Sequence, residues 1–370
     1  MANKWIQKLQ KMNGAVVERK DRFANVVRTG SPSVDFIFGR THGLPRGYTT
    51  VLYGPPKGGK SVLAHLMMGW VHQNDPDAIV AKFDTEYRSD GQLDSNAMKL
   101  YGIDEERIQI FETNSPADFF DQVEKDIAAN CQAGMPLHAI VVDSISGIQG
   151  RREMVSESVE KMTIGDHAQT IQVGLKRILP VIRKYDIALI LIAQARAEMD
   201  QTEQMRGNKY KMQAGFGLQH MAEYFIVVEP NRTTDGRKDL SGKEFVDDNV
   251  TDLANKGEVT AMKIRAKMKD SSMGPKGRTG EFTFHFKRGL INTYEEVFKL
   301  AINRNLVERP NNLMYAFEGQ TWKGRDAFAS ALRESPALCD RLILKLRERD
   351  LAGDYEEQDK AEFEADSDDE

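Results

Sequence analysis

Two cysteines in 370 residues, Cys131 and Cys339, are too few for a disulfide framework. They predict a chain at home in a reducing compartment. No apolar run approaches the ~20 residues needed to cross a bilayer. The opening MANKWIQKLQKMNG has neither a long apolar core nor a cleavage-like site, so the expectation is a cytoplasmic protein with no membrane partner. No internal repeat is visible, which argues against a solenoid. What remains is ordinary globular composition, with 40% hydrophobic and 29% charged residues. The length suits one large domain with appendages, or two domains.

Charge is unevenly spread. The stretch from Asp354 to Glu370, DYEEQDKAEFEADSDDE, holds ten acidic residues and one lysine, so the preceding 353 residues carry +4 within a chain of formal charge −5. Self-repulsion and a shortage of apolar side chains predict a disordered tail. Two roles stay open for it: a solubilising appendage, or a mobile decoy that competes with a polyanion for the basic body.

In the first thirty residues Trp5, Leu9, Met12 and Val16 recur at helical spacing between lysines. Such a helix either folds onto its own core or docks on a neighbouring copy. From Val34 onward the pattern changes. GYTTVLYG, AIVAKFDTE (78–86), HAIVVDS (138–144), IALILIAQ (187–194) and EYFIVVE (223–229) are apolar runs suited to strands covered on both faces of a mainly parallel sheet. Helical patterns such as SPADFFDQVEKDIAANCQ and DHAQTIQVGLKRILPVIRKY lie between them, and the alternation predicts an α/β fold. EVTAMKIRAKM and EFTFHFKRG, the second with Phe282, Phe284 and Phe286 in alternation, predict an antiparallel extension of that sheet. DAFASALRESPALCDRLILKLRERDL reads as two helices, with Pro336 near the start of the second. Asn231–Gly257 is polar and reads as an exposed hairpin or loop. The expected division is an N-terminal helix and linker (1–30), a core (31–293), a small helical subdomain (294–353) and the acidic tail (354–370).

The strongest chemical signal is TVLYGPPKGGKSVLAHLMM, Thr50 to Met68. Gly54, Gly59, Lys60 and Ser61 complete the pattern G-x-x-x-x-G-K-[ST] between a strand and a helix. Glycines let backbone N–H groups wrap phosphates, and the helix N-terminus adds positive potential. Lys60 is placed to reach the β- and γ-phosphates, and the Ser61 hydroxyl to ligate Mg²⁺. Pro55, Pro56, Lys57, Gly58 and Val62 complete the cradle. ATP and Mg²⁺ are therefore the expected cofactors. Hydrolysis also needs a carboxylate for the metal, and HAIVVDS supplies Asp143 at a strand end. KFDTEYRSD offers Asp84 and Glu86 at another. Glu86 is selected to orient the attacking water, with Asp84, inside the apolar strand, as a structural or secondary acid.

Two further features need a partner. ARAEMDQTEQMRGNKYKMQAGFG (195–217) reads as a long polar loop in which Arg206, Lys209, Tyr210 and Lys211 cluster. Cations with an interleaved aromatic suit a single-stranded nucleic acid. Lys267 and Lys269 occupy alternate strand positions and point the same way, which favours a nearby anion.

The order of GYTTVLYGPPKGGKS, FDTE, HAIVVDSISG, IGDHAQTIQVGLKRIL and LILIAQ resembles the bacterial RecA recombinases, and still more their bacteriophage relatives of the UvsX type. The likeness runs from about Val27 to Leu351, and GPPKGGKS departs from the bacterial pattern GPESSGKT. It implies a RecA-type P-loop ATPase core with a mainly parallel sheet, an antiparallel extension, an N-terminal helix and a C-terminal helical subdomain. Asp90 falls where the family contacts adenine, and Gln194 on the glutamine that senses the γ-phosphate. The loop 150–165, with Arg151, Arg152 and Met162, and the loop 195–217 match the family's DNA-binding loops in position. Lys176 and Arg177 fall on a basic helix position that contacts DNA phosphate. Lys267 and Lys269 fall where the family reaches the γ-phosphate bound by the next subunit.

The resemblance therefore implies a DNA-dependent ATPase that forms helical filaments on single-stranded DNA. Such a filament pairs that strand with homologous duplex DNA and exchanges strands, in the cytoplasm of a bacterium or a phage-infected host. A single-strand-binding protein and a loading mediator are the implied accessory partners. The alternatives are a hexameric replicative helicase on the same core and a nucleotide-gated scaffold that binds partners through its N-terminal helix.

Overall fold

Apolar runs too short for helices and bounded by turns lie side by side in a sheet. The structure, a computed structural model, describes residues 24–150, 165–205, 209–212, 216–231, 246–247, 258–311 and 313–352, with residues 6, 11, 12, 238 and 244. Among the described residues ten strands form the main sheet. Nine of them run across it in the order Gly289–Ile291, Thr279–His285, Ala261–Ser271, Tyr224–Pro230, Thr49–Gly54, Ala188–Ala197, Leu137–Asp143, Ile79–Asp84 and Ile108–Glu112. The last six are parallel to one another, and the first three join them through antiparallel pairs. The expected α/β class and its antiparallel extension are both present.

Burial on both faces explains the near-continuous apolar runs. Val80, Val141, Ile190, Leu52 and Ile226 point to one side, against the helix Lys60–Asn74. Phe83, Val142, Leu191 and Val51 point to the other, against the helix Asp166–Lys184 and the helical stretch Pro116–Gln132. Helix Asp166–Lys184 buries Ile171, Leu175, Ile178 and Ile182 on one stripe and turns Pro180 to solvent. The stretch Pro116–Gln132 begins at the cap Ser115, whose side chain accepts from the Asp118 N–H, and passes through a π-helical segment at Gln122–Ile127. Phe282 and Phe284 are buried in their strand, whereas Phe286 lies beyond its end and is exposed.

The C-terminal residues build a third core around Phe298, Tyr315, Phe328, Leu338 and Leu342, joined by Phe36. The two expected helices are Arg325–Glu334 and Pro336–Ala352. A three-stranded sheet of Glu308–Asn311, Met314–Phe317 and Gln320–Lys323 stands beside them, so this part is not purely helical. ERPN and QTWK are largely exposed and carry no apolar alternation, which hid them in the sequence. Asp350 clamps this part to the core, accepting from Arg278 at 2.8 and 3.0 Å and bonding His42 Nε2 at 2.7 Å.

Of the N-terminal stripe only Met12 belongs to the described residues, and it is exposed. Trp5, Leu9 and Val16, most of 231–257 and the tail 354–370 lie outside them.

Candidate nucleotide and DNA site

Parallel strands bring their C-terminal tips to one edge of the sheet, and the candidate residues gather there. Sheet register sets Asp84 beside Asp143, Asp143 beside Ile192, and Gly54 beside Gln194. Strand Thr49–Gly54 opens into the Gly-rich loop, and helix Lys60–Asn74 leaves it. At Gly54 φ is +155° and a Cβ would lie 2.1 Å from the Val228 carbonyl oxygen. Gly59 caps the helix at φ +96°, a conformation open to glycine at little cost. Pro56 and Lys57 are exposed at the tip of the loop, and Gly58 is buried beneath it.

Lys60 Nζ donates to the carbonyl oxygens of Gly54 at 3.1 Å and Pro55 at 2.8 Å, so the ammonium lies over the loop. Burial pushes its pKa down, while Asp143 and Glu86 act to hold it up. Ser61 Oγ donates to Asp143 Oδ2 at 2.8 Å. Burial pushes the Asp143 carboxyl up, against the nearby Lys82 charge and the Ser61 hydrogen bond. Hard oxygens from a hydroxyl and one carboxylate fit Mg²⁺, which keeps few protein ligands and takes phosphate oxygens besides. Among the described residues no three His, Cys, Asp or Glu side chains converge as a metal cluster.

The two acids of FDTE divide their work. Asp84 accepts from the backbone N–H groups of Glu86, Arg88 and Ser89, at 3.0, 2.7 and 2.6 Å. Burial pushes its pKa up, but these hydrogen bonds and the Lys82 charge outweigh that and hold it down. It pins the turn that presents Glu86. Glu86 Oε1 accepts from Ser144 Oγ and from Gln194 Nε2, both at 3.0 Å, and its Oε2 pairs with Arg88 at 2.8 Å. The Gln194 backbone N–H donates to Ser146 Oγ at 3.0 Å. Ser144, Ser146 and Arg88 were not singled out from the sequence, although they flank the two acids in DSIS and EYR. Asp90 lies in the short helix Ser89–Gln92, next to the pinned turn.

The segment after Gln194 is not the structureless loop expected. Strand Ala188–Ala197 continues past Gln194 and pairs antiparallel with Tyr210–Met212, and helix Gln201–Met205 lies between. Ala195 and Ala197 extend the strand without steric cost, so pairing outlasts the apolar run. Lys209 and Lys211 are exposed on this hairpin, while Tyr210 is half-buried against the core. Arg206, Arg151, Arg152 and Met162 lie outside the described residues. Arg177 is not a free cation: it pairs with Asp121 at 2.8 Å and with Glu124. Two carboxylates on the neighbouring helical stretch explain that placement, and Lys176 beside it is exposed.

Lys267 and Lys269 line a groove of about 740 Å³ together with Tyr53, Lys209, Tyr210 and Lys299. Lys263 and Arg265 continue the same row and were not singled out from the sequence. Arg265 pairs with Glu281 at 2.8 Å. The groove's lining contains none of Lys60, Ser61, Glu86, Asp143 or Gln194.

The likeness to known proteins follows the same architecture. A protein RecA of Thermus thermophilus is 26% identical over 339 residues, covering 91% of this chain and 89% of that protein. Those of Thermus aquaticus and Mycoplasma pneumoniae are each 25% identical over 325 residues, 88% of this chain. The family model described as the RecA N-terminal domain matches residues 3–291, and with most of its length matched the chain belongs to the RecA family.

Proposed function

We propose that the protein is an ATP-dependent DNA recombinase that polymerises on single-stranded DNA, pairs it with a homologous duplex and promotes strand exchange. Its loop wording favours the UvsX-type branch of the family. The observation that carries the reading is the bonded path Gln194–Glu86–Ser144, with Ser61–Asp143 on the adjacent strand tip. Through it the hydrolytic residues touch the strand that runs into the candidate DNA hairpin.

The division of labour is positioning plus electrostatics. Gly54–Val62 cradles the triphosphate, with Lys60 on its β- and γ-oxygens. Ser61 and Asp143 would hold Mg²⁺, which would supply further charge neutralisation. Glu86 orients the attacking water, and Gln194 reports the state of that site to the hairpin carrying Lys209 and Lys211. Lys267 and Lys269 serve the site of the adjoining copy, so triphosphate joins subunits and hydrolysis loosens them. Lys176 and the hairpin lysines grip the DNA backbone, and base pairing supplies the sequence recognition. Binding then falls steeply with salt.

ATP turnover with and without single-stranded DNA, measured across protein concentration, tests this. Stimulation by DNA with a steep concentration dependence is expected. Turnover indifferent to DNA contradicts it, and closed hexamers that unwind forks favour the helicase reading instead.

A further inference from the structure

One buried charge behind the nucleotide site has no assigned role. Lys82 lies in the middle of strand Ile79–Asp84 and is fully buried, at 0% exposure. It shares a sheet face with Val80 and Asp84, and its register partner Val141 stands two residues before Asp143. Its Nζ has no hydrogen-bond partner. Above that face runs helix Lys60–Asn74, on which His65 sits one turn after Ser61. His65 is also buried, with neither ring nitrogen partnered. The layer Lys82–His65 thus lies directly beneath the layer Asp143–Ser61.

A buried ammonium with no acceptor is costly, and an apolar residue would fill the position more stably. His65 supplies no counter-charge, because an imidazole is either neutral or cationic, and burial and then the Lys82 charge push its pKa down. Burial pushes the pKa of the Lys82 ammonium down, and carboxylates oppose this, Asp143 first, then Asp84, Glu112 and Glu86. Lys82 in turn is the leading influence opposing burial at Asp143. Unpartnered polar groups retained in a core call for a functional explanation.

We propose that Lys82 is a positioning residue of the nucleotide site, a fixed cation behind Asp143 that weakens the site's own grip on a divalent metal. Metal is then held only together with triphosphate oxygens, and free metal does not occupy the site between turnovers. The proposal rests on the nucleotide reading of Ser61 and Asp143.

The test is direct metal binding, with Mn²⁺ followed by electron paramagnetic resonance on the full chain without nucleotide. Lys82→Met and Lys82→Leu remove the charge and nearly preserve volume. Each is expected to melt at a higher temperature and to bind Mn²⁺ about tenfold more tightly than the wild type, the effect of deleting one nearby positive charge. Lys82→Arg is expected to leave Mn²⁺ binding weak. Folded Met and Leu variants with unchanged or weaker Mn²⁺ affinity overturn the proposal. Failure of both to fold overturns it too, because Lys82 would then be structural. Binding of a fluorescent non-hydrolysable ATP analogue by the wild type in Mg²⁺ is the control. Its absence sinks the nucleotide reading itself, a result distinct from an unchanged Mn²⁺ affinity.

Discussion

The side-chain amide of Gln194 donates to Glu86 at 3.0 Å. The glutamine ends the apolar part of one strand and the glutamate sits in the turn after another, so the bond crosses the tip of the strand that carries Asp143. A change in what Glu86 touches therefore changes what Gln194 can hold, and Gln194 leads into the hairpin with Lys209 and Lys211. Replacing Gln194 by Leu removes one hydrogen bond to a charged group, worth about 1.5–3 kcal/mol. Nucleotide binding is expected to survive, while DNA-stimulated turnover falls roughly tenfold or more. Stimulation at the wild-type level in Gln194→Leu contradicts the coupling.

Glu86→Gln keeps the shape of the side chain and removes its basicity. Asp84 still holds the turn through its three backbone bonds, so the nucleotide pocket is expected to form. Turnover should drop by about 10²–10⁴, the usual worth of a positioned base. Filaments formed with ATP should then persist, as followed by light scattering. Rapid disassembly of the variant's filaments argues against Glu86 as the base.

Stability has its own test at Asp350. Its buried carboxylate takes two bonds from Arg278 and one contact from His42. Burial pushes its pKa up, but the bonds to His42 and Arg278 prevail and hold it down at about 2. Burial pushes the pKa of His42 down, against the hydrogen bond and charge of Asp350. The sign follows from the lowered value: this stabilisation is present above the ordinary carboxylate range and is lost as pH falls from about 4 through about 2. Asp350→Asn removes the carboxylate charge that faces the buried Arg278 and is expected to cost about 3–5 kcal/mol. Thermal melting at neutral and acid pH checks both statements. A variant that melts like the wild type at neutral pH refutes the clamp.

Much of this was legible in the sequence because parallel strands announce themselves as unbroken apolar runs, and because a phosphate loop needs its residues at fixed spacing. Asp143 and Glu86 were legible as polar residues at the ends of such runs, and Gln194 through the resemblance. Other features carry no periodic signal. Lys82 is a single charge inside AIVAKFD, and only the three-dimensional layer beneath Asp143 gives it meaning. Lys263 and Arg265 repeat the alternation of Lys267 and Lys269, but their common groove depends on strands far apart in the chain. The pairing of Arg177 with Asp121 and Glu124 depends on two helical segments meeting, and its sequence neighbours do not foretell it. The hairpin after Gln194 forms because strand pairing tolerates Ala195–Ala197, where an apolar pattern had ended.

The acidic tail offers a prediction independent of the fold. Ten acidic residues tethered to a body of opposite sign compete with an added polyanion at low ionic strength. Removing residues 354–370 is expected to raise duplex-DNA binding severalfold in low salt and to lose that advantage in high salt. Binding isotherms that are identical with and without the tail reduce it to a solubilising appendage.

A nucleotide site completed by the adjoining copy can be tested by mixing two inactive variants. Lys60→Ala spoils a chain's own phosphate loop, while the double variant Lys267→Ala/Lys269→Ala spoils what the chain lends to its neighbour. Each alone is expected to hydrolyse almost no ATP on single-stranded DNA. In an equal mixture, roughly one site in four joins an intact loop to intact lysines, and turnover should return to about that fraction of the wild-type rate. A mixture no more active than its separate components contradicts the shared site.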